Sequence, residues 1–322
     1  MSAIPWIGQD IVESTHAIEY IYTILPLIAS KAFNQELAEK NLFEKLSPIG
    51  YVNLNTRSNR TERLTDSEYL SIPKSFIAFL VGFIDGDGYI QITKSKKDYI
   101  SIKLVISLPL DDITILNYIQ SVLKLGRVNS YYDKTNPCCK LVINKTDLQE
   151  ILFPLLTYHK MFFLTDLRLS QYHKAEHIMK NNVKFYSEIA EVLPITFKLP
   201  ENARAYTELC FFRNWIIGFT VSEGCFFIKK NLDACYQLKQ RIHVNLFNSF
   251  LLIFNTDRKI TTDKEKYMQF GVSSKKDVQT VIDFFSFSGL HPLVGLKCIQ
   301  YEKWLNDLKT SVRYKNLRFP FQ

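Results

Sequence analysis

Asp87 and Glu223 are the side chains whose placement asks for chemistry. Each closes an apolar run, FLVGFIDGDGYIQI at 79–92 and WIIGFTVSEGCFFI at 215–228, and each directly precedes a glycine, Gly88 or Gly224, that stops a helix. A helix C-terminus carries partial negative charge, so a carboxylate there is unfavourable. Gly82 and Gly86 in the first run, and Gly218 and Ser222 in the second, are small residues four apart, a spacing that lets two helix backbones approach closely. Packed side by side, the helices would set Asp87 and Glu223 together at two negative ends. A divalent cation removes that conflict. Mg²⁺, or a similar ion such as Mn²⁺, favours oxygen ligands and keeps its waters. Between phosphates it can activate water and stabilise a leaving oxygen. The plainer alternative, that the acids are surface caps, leaves unexplained why both copies put an acid immediately before the glycine.

The elements that must position these acids occur twice. INKTDLQEILF at 143–153 matches SSKKDVQTVID at 273–283, so Asp87 and Glu223 stand 136 residues apart while Lys145 and Lys275 stand 130 apart. Two similar offsets mean two copies of one unit. Each copy begins with the apolar helix and continues into strands with period-two alternation. Ile90 and Ile92 oppose Tyr89, Gln91 and Thr93. Ile100, Ile102, Leu104 and Ile106 oppose Ser101, Lys103, Val105 and Ser107. In the second copy Leu238, Ile242 and Val244 oppose Gln237, Lys239, Arg241, His243 and Asn245. One apolar face per strand predicts half-covered antiparallel sheets. Helices follow at about 111–124 and 247–255, then strands at 126–132, 139–144, 257–262 and 267–273, then helices starting near 146, 161, 275 and 293. The predicted fold is α+β: two pseudo-symmetric αββαββα repeats, 73–182 and 209–322, forming a saddle of two antiparallel sheets around the paired helices. Residues 183–208, with Pro194 and Pro200, form the linker, and residues 1–72 are an extension outside the core.

The polar sheet faces are basic. Tyr89, Gln91, Thr93, Lys94, Lys103 and Arg127 in the first unit, and Lys229, Gln237, Lys239, Arg241, His243 and Arg258 in the second, offer donors and acceptors to base edges and cations to phosphates. The formal charge of +8 over 322 residues points the same way, to a polyanion, nucleic acid before an anionic membrane. With 47% hydrophobic and 22% charged residues the composition is that of a globular chain. YIYTILPLIAS at 20–30 is too short to span a bilayer and is broken by Pro26. Six scattered cysteines with no CxxC predict reduced thiols, and vicinal Cys138 and Cys139, on a strand, point to opposite faces.

LVGFIDGDG at 80–88 and the more divergent IIGFTVSEG at 216–224 resemble the motif of the LAGLIDADG homing endonucleases, and two copies in one chain resemble their monomeric branch. The resemblance covers about residues 74–310. It implies a divalent-metal-dependent double-strand break across the minor groove of a long asymmetric DNA site, with the sheets in the flanking major grooves. It implies that Asp87 and Glu223 bind the metals, assisted by the carbonyls of Gly86 and Ser222, and that Lys145 and Lys275 (or the adjacent Lys276) sit beside the cleavage site. Val221 stands where Asp85 stands in the first copy, which puts that acid's polar contact at the helix pair in question. No water-organising glutamine is identifiable in either repeat. Some relatives encoded in cytochrome b introns act as RNA maturases that bind their own group I intron and assist splicing. A DNA-binding protein that has lost cleavage is a third possibility.

SAIPWIGQDIVE at 2–13 resembles a piece of mitochondrial cytochrome b, and nothing after Glu13 continues it. An intron reading frame fused to its upstream exon would look like this. It predicts a mitochondrially encoded protein of the matrix, needing no transit peptide, whose target is the intronless cytochrome b junction and whose cut promotes intron mobility. Two other patterns are set aside. HKAEH at 173–177 fits a zinc-peptidase pattern but is expected to be a solvated helix face. GVSSKK at 271–276 lacks the spaced glycines of a phosphate loop. Phe76, Phe79 and Phe83, repeated as Trp215 and Phe219, are core at helical spacing.

Overall fold

The computed structural model describes residues 63–133 and 135–320; the cytochrome b-like segment 2–13 lies outside the described residues. Helix α1, Asp66–Ser71, is closed at its start by a capping box between Thr65 and Glu68. Helix α2, Lys74–Asp87, follows Pro73 and ends where the Gly88 N–H bonds Ile84 O. Every residue from Phe76 to Asp85 is buried. A helix that is apolar all round belongs in the middle of a protein. Strands β1 (Gly88–Lys94) and β2 (Ile100–Pro109) follow, then helix α3 (Ile113–Leu123) and strands β3 (Arg127–Tyr131) and β4 (Cys138–Asn144). A helical stretch runs from a single turn at Lys145–Asp147 through a π segment, Leu148–Leu152, into α4, Phe153–Tyr158. Helix α5, Asp166–Lys180, completes the unit.

After the short helix α6 (Ala203–Thr207) the pattern returns. Helix α7 is Phe212–Glu223, β5 Gly224–Ile228, β6 Ala234–Arg241, α8 Val244–Ile253, β7 Thr261–Asp263, β8 Tyr267–Val272, α9 Lys275–Ile282 and α10 Gly295–Thr310. Both sheets are antiparallel with the same order, β1-β2-β4-β3 and β5-β6-β8-β7. The two-repeat α+β saddle predicted from the sequence is the architecture found.

Helices α2 and α7 form the centre, and glycine is the reason they can. A Cβ at Gly82 would lie 2.0 Å from Trp215 O, and one at Gly218 1.8 Å from Phe79 O. No side chain fits between those backbones, so the small-residue spacing does set the helix contact. Phe76, Phe79, Phe83, Trp215 and Phe219 are all within the core, as the aromatic spacing predicted.

Several boundaries differ from expectation. The strand expected to carry His243 and Val244 ends at Arg241, and helix α8 begins at Val244. Leu246, Phe247 and Phe250 supply that helix with a buried face, and a helical face overrides the short alternation that precedes it. The strand expected at 257–262 is only Thr261–Asp263, leaving Arg258 before it. The linker is packed on the first repeat. Phe185 bridges to Tyr99 with the two rings tilted and 5.0 Å apart, and Phe197 stacks on Phe162 (5.0 Å). This covers HKAEH: His173 Nε2 accepts from the Phe197 N–H at 3.2 Å and Glu176 bonds the Thr196 hydroxyl, so both are buried rather than solvated. Residues 63–72, expected outside the repeat, join it through buried Tyr69 and through Arg63, which pairs with Asp147 and Glu150.

Candidate functional site

The C-termini of α2 and α7 meet. A Cβ on Gly86 would lie 1.9 Å from the Ser222 hydroxyl oxygen and 3.1 Å from Glu223 Cγ, so the last turn of one helix touches the acid of the other. Burial raises both carboxyls: Asp87 to about 6, and Glu223, which also feels the charge of Asp87, to about 7. Gly86 and Ser222 sit one residue before the acids, in the final turn, where helix carbonyls lack intrahelical partners. Asp87 and Glu223, expected to meet at the two helix ends, are therefore neighbours.

The cations beside it are Arg168 and Lys297. Both lower the Asp87 and Glu223 carboxyls, and both feel those charges in return. Each is the third residue of its helix, α5 or α10. The Arg168 Nε donates to Ile84 O at 3.2 Å and its Nη1 to Gln171 Oε1 at 2.9 Å. Lys297 Nζ donates to Gly224 O at 2.5 Å and to Gln300 Oε1 at 3.1 Å. Gln171 accepts from the Ile90 N–H and Gln300 from the Phe226 N–H, so each glutamine ties its helix to the first strand of its repeat. Arg168 and Lys297 are 129 residues apart, as are Gln171 and Gln300. A basic residue with glutamine three positions on, at one offset in both halves, was the overlooked signal.

Lys145 and Lys275 do not occupy this place. Lys145 follows Asn144, which pairs with Lys103 and through it with Gln91, three residues along β1 from Gly88. That is about 10 Å along the sheet and about 10 Å across it. Burial alone lowers Lys145, with no site carboxylate acting on it. Lys275 opens α9, past the end of β8, and is exposed. A lysine repeated after the fourth strand marks the repeat, whereas the charge facing the acids comes from the later helix.

A glutamine does reach the acids, once. Gln240 Nε2 donates to Glu223 Oε1 at 2.6 Å, and Gln240 Oε1 accepts from the Arg241 N–H at 2.8 Å. Asp85, whose partner was in question, is buried and accepts from the Leu164 N–H (2.7 Å), the Thr165 hydroxyl (2.6 Å) and the Trp215 indole (2.8 Å).

The sheet faces hold most of the predicted contact residues. Gln91, Lys103 and Asn144 lie in one row across the first sheet, and Tyr89, Val105, Val142 and Arg127 in the next. Thr93 and Lys94 end β1. In the second sheet Lys239, Gln269 and Thr261 share a row, and Gln237 lies on the same face. Arg241 is exposed at the end of β6, and Lys229, just past β5, reaches Ser273. Lys239 is held by Asp263 at 2.6 Å, and Arg258 faces Asp277 at 3.7 Å. His243 is withdrawn from this face: its Nδ1 is 3.0 Å from Asp166 Oδ2, and its side chain is only 9% exposed.

Among the described residues no group of three or more His, Cys, Asp or Glu could hold a metal by itself. Two half-buried carboxylates at two negative helix ends, each above its ordinary pKa, nonetheless fit a divalent cation that takes its remaining ligands from phosphates and water. No helix among the described residues is long and apolar enough to cross a membrane.

The comparisons agree with this geometry. Residues 80–186 match the LAGLIDADG endonuclease family model. The probable intron-encoded endonuclease aI3 of Dictyostelium citrinum is 24% identical over 243 residues, covering 72% of this chain and 95% of that protein. The probable intron-encoded endonuclease Cox1-I1b of Schizosaccharomyces pombe is 24% identical over 276 residues, covering 76% of this chain and 66% of that one. Among solved structures, the meganuclease I-SmaMI bound to uncleaveable DNA superposes with a TM-score of 0.58 at 15% identity, covering 76% of this chain and 93% of that one. The meganuclease I-AabMI bound to uncleaved DNA gives 0.54 at 19% identity, covering 71% and 89%. The family model thus matches the first repeat, and the second repeat shares that repeat's motif-helix pattern and sheet order within the same two-sheet fold.

Proposed function

We propose that the protein is a site-specific endonuclease that makes a metal-dependent double-strand break in a long asymmetric DNA site. The observation that supports this most is the half-buried pair Asp87 and Glu223 where α2 and α7 meet, between two sheets whose polar faces carry lysine, arginine, glutamine and tyrosine. The similarity to two proteins crystallised on DNA supports duplex DNA as the partner. Asp87 and Glu223, with the carbonyls of Gly86 and Ser222, would hold Mg²⁺ or Mn²⁺. Such an ion, when bound, supplies charge stabilisation at the phosphoryl group and a more acidic water. The remaining work belongs to the chain. Arg168 and Lys297 offset the charge of the carboxylates and stand ready to meet that of a phosphate. The sheets fix the duplex so that a backbone phosphate of each strand lies over the acids.

The relatives are named as intron-encoded endonucleases, which supports a role in intron mobility and a place in the mitochondrion. The cytochrome b-like segment supports one target, the intronless junction around the codons for GQDIVE. A plasmid carrying that junction, incubated with Mg²⁺, with EDTA, or with Asp87→Ala protein, tests the proposal. A Mg²⁺-dependent double-strand cut near the junction, lost in the variant, is the expected result. Tight binding of the intron RNA with no DNA cut would replace endonuclease with maturase.

A further inference from the structure

We propose that each repeat aims the cation of the other: Asp112 of the first repeat holds the helix that carries Lys297, and His243 of the second holds the helix that carries Arg168. This rests on the endonuclease proposal above. Both cations stand at the third position of their helix, so their direction depends on how the first turn is held. A first turn has free N–H groups, and a capping side chain just before the helix ordinarily ties them down. Neither helix has such a cap of its own. Val294, before α10, has no polar side-chain atom to offer. Thr165, before α5, makes no cap and gives its hydroxyl to Asp85 instead.

The missing ties come from the opposite repeat. Asp112 Oδ1 accepts from the N–H of Leu296, the second residue of α10, at 3.0 Å, which is the bond a cap would make. Gly295 makes room for it. Its φ is +62°, and a Cβ there would lie 2.9 Å from Asp112 Oδ1 and 2.4 Å from Ile115 Cγ1. In the other direction, His243 Nδ1 is 3.0 Å from Oδ2 of Asp166, the first residue of α5. Burial lowers this imidazole below its ordinary value despite Asp166, so near neutral pH the ring is uncharged and its Nδ1–H donates to the carboxylate. Arg168 also feels the charge of Arg241, two residues before His243, and Lys297 that of Asp112. Asp112 and His243 are equivalent positions, each immediately preceding the helix that follows the second strand, α3 or α8. One position thus makes a tie across the repeats twice, by two different chemistries, each time on the first turn of a helix that lacks its own cap. Asp112 and His243 are positioning residues, since each acts through a cation on the other repeat. Displacing a reacting group by about 1 Å is enough to lose much of its effect.

The test uses the full chain and a linear duplex carrying a sequence the wild type cuts, each strand followed by its own 5′ label in single turnover with Mg²⁺. His243→Ala should slow, by about tenfold, the strand that Arg168→Ala slows, with DNA affinity in EDTA unchanged. Once Arg168 is already alanine, His243→Ala should add less than about twofold, because no cation remains to be aimed. Asp112→Ala should stand in the same relation to Lys297. His243→Asn, which keeps a donor, and Asp112→Asn, which keeps the acceptor without the charge, should each recover most of the rate. The coupling therefore crosses from one repeat to the other, a pattern that general loss of fold does not produce. Full slowing by His243→Ala in the Arg168→Ala protein overturns the inference, as does coupling of His243 to Lys297 or rates within about twofold of wild type in both alanine variants. Crossed coupling in one pair alone overturns it for the other pair. A wild type that cuts neither strand of any DNA overturns the endonuclease proposal itself, and this inference falls with it.

Discussion

Trp215 of the second motif helix donates its indole N–H to Asp85 of the first at 2.8 Å, and the mirror-related place in the protein has neither donor nor acceptor. Phe79 stands 136 residues before Trp215, and Val221 stands 136 after Asp85. Thr165, whose hydroxyl also bonds Asp85, precedes α5 as Val294 precedes α10. A polar trio in one half is an apolar trio in the other. Asp85→Val alone should cost about 2–5 kcal/mol, because it strands the indole and two backbone N–H groups in the core. The triple change Asp85→Val, Thr165→Val, Trp215→Phe should cost less than the sum of its single changes, since contacting residues do not add. Urea unfolding of the four variants measures this; strict additivity would show that the trio does not act as a unit.

The helix contact makes an ordered prediction. Gly218→Ala and Gly82→Ala push a methyl into a backbone carbonyl, and each should destabilise by more than about 2 kcal/mol. Gly86→Ala meets the Ser222 hydroxyl, a side chain that can turn away, and should cost less. Thermal melts of the three proteins give the order, and a Gly86 variant worse than Gly218 would contradict it.

The acid pair predicts a pH dependence. Asp87 and Glu223 ionise near 6 and 7 when folded, against ordinary values of 3.8 and 4.5. A carboxyl raised in the folded state holds its proton more tightly folded than unfolded, so its contribution is present at low pH and lost as pH rises from about 4 to about 7. Metal-free wild type should therefore lose melting temperature across that window relative to Asp87→Asn/Glu223→Gln. Mg²⁺ should raise the melting temperature of wild type at pH 8, have little effect at pH 5, and do nothing to the double variant. A Mg²⁺ shift that persists in the double variant would place the ion elsewhere.

The two sets of repeated basic residues can be told apart by rate. Arg168→Ala and Lys297→Ala should each slow cleavage by about a hundredfold with DNA affinity in EDTA little changed, as expected for charge placed at the reacting phosphate. Arg168→Lys, which keeps the charge but not the guanidinium's bond to Ile84 O, should recover part of the rate. Lys145→Ala and Lys275→Ala should leave the single-turnover rate within about threefold of wild type. The reverse pattern would return the role to the lysines that follow β4 and β8.

What the sequence determined by itself was whatever local periodicity and duplication encode. The two motif helices, their glycine spacing, the acids before Gly88 and Gly224, and the alternation of β1 and β2 all follow from the identity of neighbouring residues. Each could be read and was found in place. Tertiary structure decided everything that depends on residues far apart in the chain. Arg168 faces the acids because α5 runs back to the end of α2, some 80 residues earlier, and its sequence marks it only by its repeat as Lys297, each with a glutamine three positions on. His243 left the predicted sheet face because Asp166, 77 residues away, meets it and a buried helix begins at the next position. HKAEH is covered by a linker that its own sequence does not mention. The asymmetry between the halves, Gln240 against Leu108 and Asp85 against Val221, was present in the letters throughout. It acquired meaning only once strand register and helix contact showed which positions correspond, because chemistry at a site depends on proximity in space, and the duplicated chain fixes proximity only when it is folded.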